Sequence, residues 1–340
     1  MTEAVTPPTP PPPPTPGTSI PSTPLVSVPL VTVPVVTVVR RARFSAAHFY
    51  YHPQWSEAEN QRVFKACSNR HGHGHNYVLE VAVSGPIDPQ TGMVVNLKDL
   101  KTVIAEVATD PLEHTHLNHQ VAYFQENIPT LENLILYLWQ GLQPALAERR
   151  LRLHRLVLIE QEDLYVEYWG PVPCATAPDC CELLTEEPTK AMLYLTRTYD
   201  FPAAHRLHNP HFSEAENEAI FGVCNNLNGH GHNYILEVTL AGTPDKDTGM
   251  LSDITVLDAL VKERILDHVD HKHLNLDVAM FRGVNPTVEN MVQVFWEQLA
   301  PHIPAPAQLV RIRLVESKNN AAELQSALPG MEKALAGRAF

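Results

Sequence analysis

Positive charge is what this sequence has too little of. Twenty-five lysines and arginines stand against 38 aspartates and glutamates, a net of −13 with histidine neutral. Gripping a nucleic-acid duplex takes a basic face that displaces phosphate counterions, so that class of function is excluded. Cysteine is scarce too, five in 340 residues, and an odd number in so long a chain is no disulfide framework. No apolar run is long enough for a bilayer. The nearest, Leu25 to Val39, is interrupted by Pro29 and Pro34, whereas a spanning helix needs about 20 apolar residues. It also lacks the basic segment that opens a secretory signal. These absences point to a cytoplasmic protein with neither a membrane nor a nucleic-acid partner.

What is present is unevenly placed. Hydrophobic residues make up 44% of the chain, enough for real cores, and the length suggests two domains. Twelve of the 30 prolines precede residue 35. Proline fixes φ and removes a donor, so residues 1–34 read as an extended, disordered tail. A second proline-containing stretch, 171–189, reads as a linker and holds Cys174, Cys180 and Cys181, whose spacing fits no common zinc pattern. Plain reduced thiols are expected there.

Self-similarity organises the rest. Phe44-Ser-Ala-Ala-His48 returns as Phe201-Pro-Ala-Ala-His205, and Ser56-Glu-Ala-Glu-Asn60 as Ser213-Glu-Ala-Glu-Asn217. Gly72-His-Gly-His-Asn-Tyr77 returns as Gly229-His-Gly-His-Asn-Tyr234, and Cys67, His114 and Glu132 return as Cys224, His271 and Glu289, all 157 residues on. Glu160 answers Glu316, one residue short of that offset. The reading is two copies of one domain, 35–170 and 190–320, with 321–340 as a C-terminal extension.

Each copy carries a ββααββ pattern. Val35 to Ala46 and Asn76 to Ser84 are strand-like, the second ended by the turn Asp88-Pro-Gln-Thr-Gly92. Asn96 is a candidate N-cap for a helix through Leu97, Leu100, Val103 and Ile104. Leu131, Leu134, Ile135, Leu138 and Leu142 form a second helical stripe, matched in the other copy by Val288, Met291, Val292, Phe295 and Leu299. Arg152 to Glu160 and Leu164 to Tyr168 close the domain as a hairpin. The class is α+β, with helices on one face of an antiparallel sheet.

His73 and His75 alternate at the entrance of a strand, so both rings point to one face, and His48 ends the strand expected beside it. Three neutral imidazoles on adjacent strands make a catalytic zinc site with the fourth position open. His205, His230 and His232 repeat the set. The flanking glycines are read as clearing space for a ligand or metal. A polar turn alone would account for one Gly-His-Gly-His, but not for two in register with a third histidine. Cys67 and Cys224, six residues before His73 and His230, are either fourth ligands closing a structural site or free thiols whose pKa is lowered by positive charge. His71 is read as supporting a metal ligand from behind or facing solvent. Most of His52, His116, His119, His154, His208, His211, His268, His273 and His302 are read as surface residues.

Taken together, Cys-x5-His-Gly-His-Asn-Tyr, the upstream Ala-Ala-His, the Thr-Gly-Met turn and the acid–His pair resemble the 6-pyruvoyl-tetrahydropterin synthase family, whose relative is 6-carboxytetrahydropterin synthase of the queuosine pathway. The resemblance implies the tunnelling fold, a four-stranded antiparallel sheet with two helices. It implies zinc on His48, His73 and His75 and on His205, His230 and His232, two ions per chain. It implies catalytic roles for Cys67 and Cys224, and for the proton-relay pairs Glu113-His114 and Asp270-His271, the first with a longer carboxylate than the family's aspartate. Glu160 and Glu316 would anchor the pterin, near Thr130-Leu-Glu132 and Thr287-Val-Glu289.

The implied substrate is 7,8-dihydroneopterin triphosphate. Zinc would acidify the C–H beside the side-chain hydroxyls, a thiolate would remove that proton, and triphosphate would leave, which makes the enzyme a lyase. Without the resemblance, Glu160 and Glu316 would read as solvated strand-end acids. The five-residue Cys–His gap favours the pyruvoyl-forming branch over the carboxy-forming one. A zinc-loaded pterin-binding protein with one silent copy is the reading from another class. Family sites lie between subunits, so a homo-oligomer is expected, and three tandem chains would supply the six domains of a family hexamer.

Overall fold

The structure, a computed structural model, describes residues 35–171 and 191–326. The tail and most of the linker, with Cys174, Cys180 and Cys181, lie outside the described residues. Strand β1 (Val35–His48) pairs antiparallel with β2 (His73–Pro86) over their whole lengths, and β2 then pairs with β4 (Arg152–Gln161), the first arm of the hairpin with β5 (Leu164–Tyr168). The second copy repeats this with β6 (Leu193–His205), β7 (His230–Gly242), β9 (Gln308–Ser317) and β10 (Asn320–Gln325). Two-residue strands β3 (Thr115–His116) and β8 (Lys272–His273) pair parallel to the ends of β1 and β6. The second copy therefore runs at least to Gln325, and residues 321–325, read from sequence as an extension, form an edge strand. Their alternation was too polar to betray one.

The copies do not fold as separate sheets. β5 pairs antiparallel with β6 from Leu164↔Arg197 to Tyr168↔Leu193, which joins both repeats into one ten-stranded sheet.

Among the described residues each copy has three helices of eight residues or more: α1 (Glu57–Phe64), α2 (Leu97–Ile104) and α3 (Leu131–Ala147), then α4 (Glu214–Phe221), α5 (Ile254–Val261) and α6 (Val288–Leu299). Each starts on a side-chain cap that satisfies an orphan amide of the first turn: Asn96 accepts from Lys98 N–H, and Thr130 from Asn133 N–H. On α3 the whole predicted stripe, Leu131 to Leu142, is buried, and the stripe on α6 likewise. Each such side chain contributes about 1.5–3 kcal/mol of transfer free energy. Leu97, predicted to face the core, is instead exposed, because it opens the first turn of α2 before the helix meets the sheet.

The helix-facing side of the sheet places the site. The register opposes Phe44 to Tyr77, Ala46 to His75 and His48 to His73, all on one face. Phe44 and Tyr77 stack at 5.0 Å between ring centroids, and beyond them the apolar core gives way to imidazoles.

Candidate metal and catalytic site

At the end of that face the Nε2 atoms of His48 and His73 stand 3.1 Å apart. The ligand atoms of His48, His73 and His75 all lie within 4.8 Å of one another, as do those of His205, His230 and His232. His48 Nδ1 donates to the carbonyl of Pro129 at 3.0 Å, and His205 Nδ1 to that of Pro286 at 2.8 Å. Each bond fixes the proton on Nδ1 and leaves the Nε2 lone pair facing the other rings, the usual support of a metal-binding imidazole.

The rings fit a divalent ion. His75 Nε2 and His232 Nε2 are buried without a hydrogen-bond partner, a costly state for a polar atom that nothing else satisfies. Lone pairs facing at 3.1 Å repel, yet tetrahedral zinc with bonds near 2.0–2.1 Å would set its nitrogens about 3.3 Å apart. Burial and the neighbouring imidazoles lower His48 to about 3 and His75 to about 4, so both are neutral at physiological pH.

No cysteine belongs to either three-residue group among the described residues. The expectation that positive charge lowers the thiol's pKa is not met by the protein's own groups at Cys67. Burial pushes it up, and so do the carboxylates of Glu160 and of Asp253, the latter from the second repeat.

Glu160 is not the solvated strand-end acid of the bare sequence reading. Its Oε1 lies 3.8 Å from His48 Nε2 and 3.7 Å from His75 Nε2, and it accepts a 3.3 Å hydrogen bond from the Tyr77 hydroxyl. Burial pushes its carboxyl up to about 7. Glu316 repeats the placement at 3.6 and 3.7 Å from His205 and His232.

The acid–His pairs lie at the rim. His114 Nε2 is 3.2 Å from Glu113 Oε1, and His271 Nδ1 is 2.8 Å from Asp270 Oδ1, with both imidazoles largely exposed. His271 lines a cleft of about 500 Å3 together with His232. Both histidines hold φ at +56°, a left-handed conformation that non-glycine residues rarely adopt. The same departure at both equivalent positions marks a constrained turn that no sequence pattern announces.

Thr130 and Glu132 do something the sequence did not suggest. Thr130 Oγ1 donates to the Gly249 carbonyl at 2.7 Å, and Glu132 Oε1 accepts from Leu251 N–H at 2.7 Å, so a turn of the second repeat covers the first site. Among the described residues Thr287 and Glu289 have no such cover, and Glu289 is exposed.

Burial, opposed by the Leu251 hydrogen bond, raises Glu132 to about 7. The unfolded carboxyl releases its proton near 4.5, so the folded state binds more protons between these values and its stability falls as pH rises through them. Glu132→Gln, which keeps an acceptor, should therefore match wild type near about pH 4.5 and gain on the order of 2–3 kcal/mol by about pH 8. Urea titrations at the two pH values check this, and an equal difference at both would contradict it.

Other residues escaped the sequence reading. The Asn60 amide, fully buried, accepts from His52 N–H and donates to the carbonyls of His52, Trp55 and Ser56, and Asn217 is the same hub in the second copy. The repeated Ser-Glu-Ala-Glu-Asn was the available signal. Tyr50, where the second copy has Leu207, packs edge-on to His48 at 5.1 Å, and burial holds its hydroxyl well above 10.

Of the nine histidines read as mostly at the surface, only His119, His211, His268 and His302 are exposed, whereas His52, His116, His154, His208 and His273 are half-buried. Both ring nitrogens of His116 and Nδ1 of His273 lack partners. Parallel pairing of β3 and β8 with the main strands draws His116 and His273 under the histidine turn. The glycines read as clearing space for a ligand instead accommodate the protein itself: a Cβ at Gly72 would meet His116 Nε2 at 2.7 Å and one at Gly229 would meet His273 Nε2 at 2.5 Å, while at Gly74 and Gly231 it would meet the carbonyls of Ala46 at 3.3 Å and Ala203 at 3.2 Å. His71 is exposed, as read.

Residues 37–171 and 194–327 each match the family described as 6-pyruvoyl tetrahydropterin synthase. The chain belongs to that family. Its relatives include the 6-pyruvoyl tetrahydrobiopterin synthases of Drosophila melanogaster, 43% identical over 136 residues (40% of this chain, 80% of the relative), and of Homo sapiens, 42% over 133 residues (39% and 90%). An Archaeoglobus fulgidus protein provisionally described as a 6-carboxy-5,6,7,8-tetrahydropterin synthase is 38% identical over 95 residues (28% and 73%). The structure of the Caenorhabditis elegans 6-pyruvoyl tetrahydropterin synthase aligns with 40% of this chain and 96% of its own, at 37% identity and a TM-score of 0.38. Family membership, in two tandem copies of the tunnelling fold, makes the chain a pterin synthase of the lyase class. Among the described residues no helix is long and apolar enough to cross a membrane.

Proposed function

We propose that the chain is a zinc-dependent lyase that converts 7,8-dihydroneopterin triphosphate to 6-pyruvoyl-tetrahydropterin with loss of triphosphate. The observation that carries this reading is the pair of histidine clusters, each with a buried, unpartnered Nε2 and no thiol among its members. Zinc bound there would acidify the substrate's side-chain hydroxyls and the adjacent C–H, and lower the pKa of a nearby thiol.

The chain's own groups supply the rest. Glu160, oriented by Tyr77, would accept the paired N–H donors of the pterin edge in its ionised form, and Glu316 would do so in the second site. Cys67 and Cys224 would take the proton from carbon. The Glu113–His114 and Asp270–His271 pairs, on the rim and in contact with water, would return it. Thr130 and Glu132, with Thr287 and Glu289, border the pterin end. In the first site Thr130 and Glu132 act by holding the covering turn.

The archaeal relative supports a second reading, a carboxy-forming synthase of queuosine biosynthesis. Incubation of the protein with 7,8-dihydroneopterin triphosphate, followed by mass identification of products, tests the proposal. The expected products are 6-pyruvoyl-tetrahydropterin and inorganic triphosphate. Acetaldehyde release would move the assignment to the carboxy-forming reaction. Tight binding without turnover would make the protein a pterin-binding one.

A further inference from the structure

The two sites repeat one another in imidazoles, thiol and carboxylate, and differ beside them. Tyr50 and Leu207 stand at the same place, two residues after the first histidine of each trio. The main chain treats them alike. Tyr50 N–H donates to the Cys67 carbonyl at 2.8 Å, and Leu207 N–H to that of Cys224 at 2.9 Å. Each is therefore tied to the turn that carries the thiol, and each is half-buried. Only the side chains differ: a phenol in the first site, a branched alkyl group in the second.

Aromatic neighbours hold the phenol in place. Its ring meets His48 edge-on at 5.1 Å between centroids and Phe64 at 6.0 Å, and Phe64 in turn stacks on Trp55 at 5.7 Å. So held, the hydroxyl lies among acids and the thiol: burial first, then Glu160, Tyr77, Glu132 and Cys67, keep it well above 10. A phenol is in any case a donor at neutral pH. The neighbouring carboxylates have their own bonds, Glu160 from the Tyr77 hydroxyl and Glu132 from the Leu251 amide. The Tyr50 hydroxyl has none: among the described residues no hydrogen bond ties it to the protein. Nor is it one of the buried polar atoms sealed in without a partner, so it opens onto the site. A donor that the fold positions, keeps accessible and leaves unused is there for whatever fills the site.

We propose that the Tyr50 hydroxyl is a specificity-determining donor of the first site, bonding an oxygen on the side chain of the bound pterin, and that the second site, with Leu207, lacks that selection. Position sets the acceptor. In the proposed reaction Glu160 takes the ring edge and Cys67 works on the side-chain carbon, so a hydroxyl between them faces the start of the side chain. A ligand without an oxygen there leaves the phenol half-buried and unpaired, a loss that leucine cannot suffer. The tandem chain thus carries two sites that rank pterin side chains differently. The inference rests on the pterin-binding role proposed above.

Equilibrium binding to the zinc-loaded full chain tests this, with each site read alone. Glu316→Gln disables the second site and Glu160→Gln the first. The probes are 7,8-dihydroneopterin and 6-methyl-7,8-dihydropterin, which lacks the side-chain oxygens. In the Glu316→Gln chain, Tyr50→Phe should weaken 7,8-dihydroneopterin about tenfold and leave the methyl ligand within about twofold. The second site, read in the Glu160→Gln chain, should prefer 7,8-dihydroneopterin over the methyl ligand about tenfold less than the first site does. Phenylalanine keeps the ring against His48 and Phe64, so the metal content of the unaltered chain should persist. The readout is a ratio of affinities, which a merely structural role does not move. Equal loss for both ligands, no loss for either, or equal preference in the two sites overturns the proposal. Failure of the unaltered chain to bind either ligand overturns the pterin reading itself, and this inference with it.

Discussion

His48→Ala and His205→Ala, made singly, should each lower bound zinc from two ions per chain to one, and together to none, with turnover falling about a thousandfold or more at the altered site. Metal content by plasma mass spectrometry on protein never exposed to chelator is the direct measurement. The effect would be large because the three imidazoles of each site would be the ion's only ligands from the protein among the described residues, and two nitrogens hold a divalent ion against water far less well than three. Alanine at 48 also strips the donor from the buried Pro129 carbonyl, which costs about 1–3 kcal/mol. His73→Ala avoids that loss, because the Pro129 bond belongs to His48. It should lose the same ion with less effect on stability. Two ions retained in the double variant would dismiss the metal assignment.

Cys67→Ala and Cys224→Ala address the proton that must leave carbon. A positioned base is worth about 10²–10⁴ in rate, so a chain lacking both thiols should lose activity by that factor while keeping its metal. Made one at a time, the changes report which copy turns over: each should remove about half of the rate if both do, whereas one should remove nearly all of it if the other copy is silent. The first thiol is the more demanding case. Burial, Glu160 and Asp253 all hold Cys67 up, so in the proposed reaction its ionisation would depend on positive charge arriving with the metal. Unchanged product formation in the double variant would remove the thiols from the mechanism.

The parts legible in the sequence were those that repeat or alternate locally. Histidines two apart on a strand must share a face, and a capped stripe such as Thr130 with Leu131, Leu134 and Ile135 must bury one side. The convergence of each histidine trio is therefore legible without the fold. What stayed hidden depends on residues distant in sequence. Nothing near Glu132 announces Leu251, and nothing in β5 announces β6 as its partner. Glu160 looked solvated because burial is a property of the assembled sheet. What Gly72 and Gly229 make room for is hidden because the histidines that fill that space enter on β3 and β8, strands too short to carry a pattern.

The turn at Gly249–Leu251 also sets a schedule for synthesis. Glu132 emerges 119 residues ahead of the amide that satisfies it, which at about 5–20 residues per second leaves the first repeat waiting on the order of ten seconds on the ribosome. Through that interval its threonine, its carboxyl and the open edge of β5 face whatever is nearby, including the matching half of a neighbouring nascent chain. The order of the repeats along the messenger thus decides which half is made unfinished and which arrives to finish it.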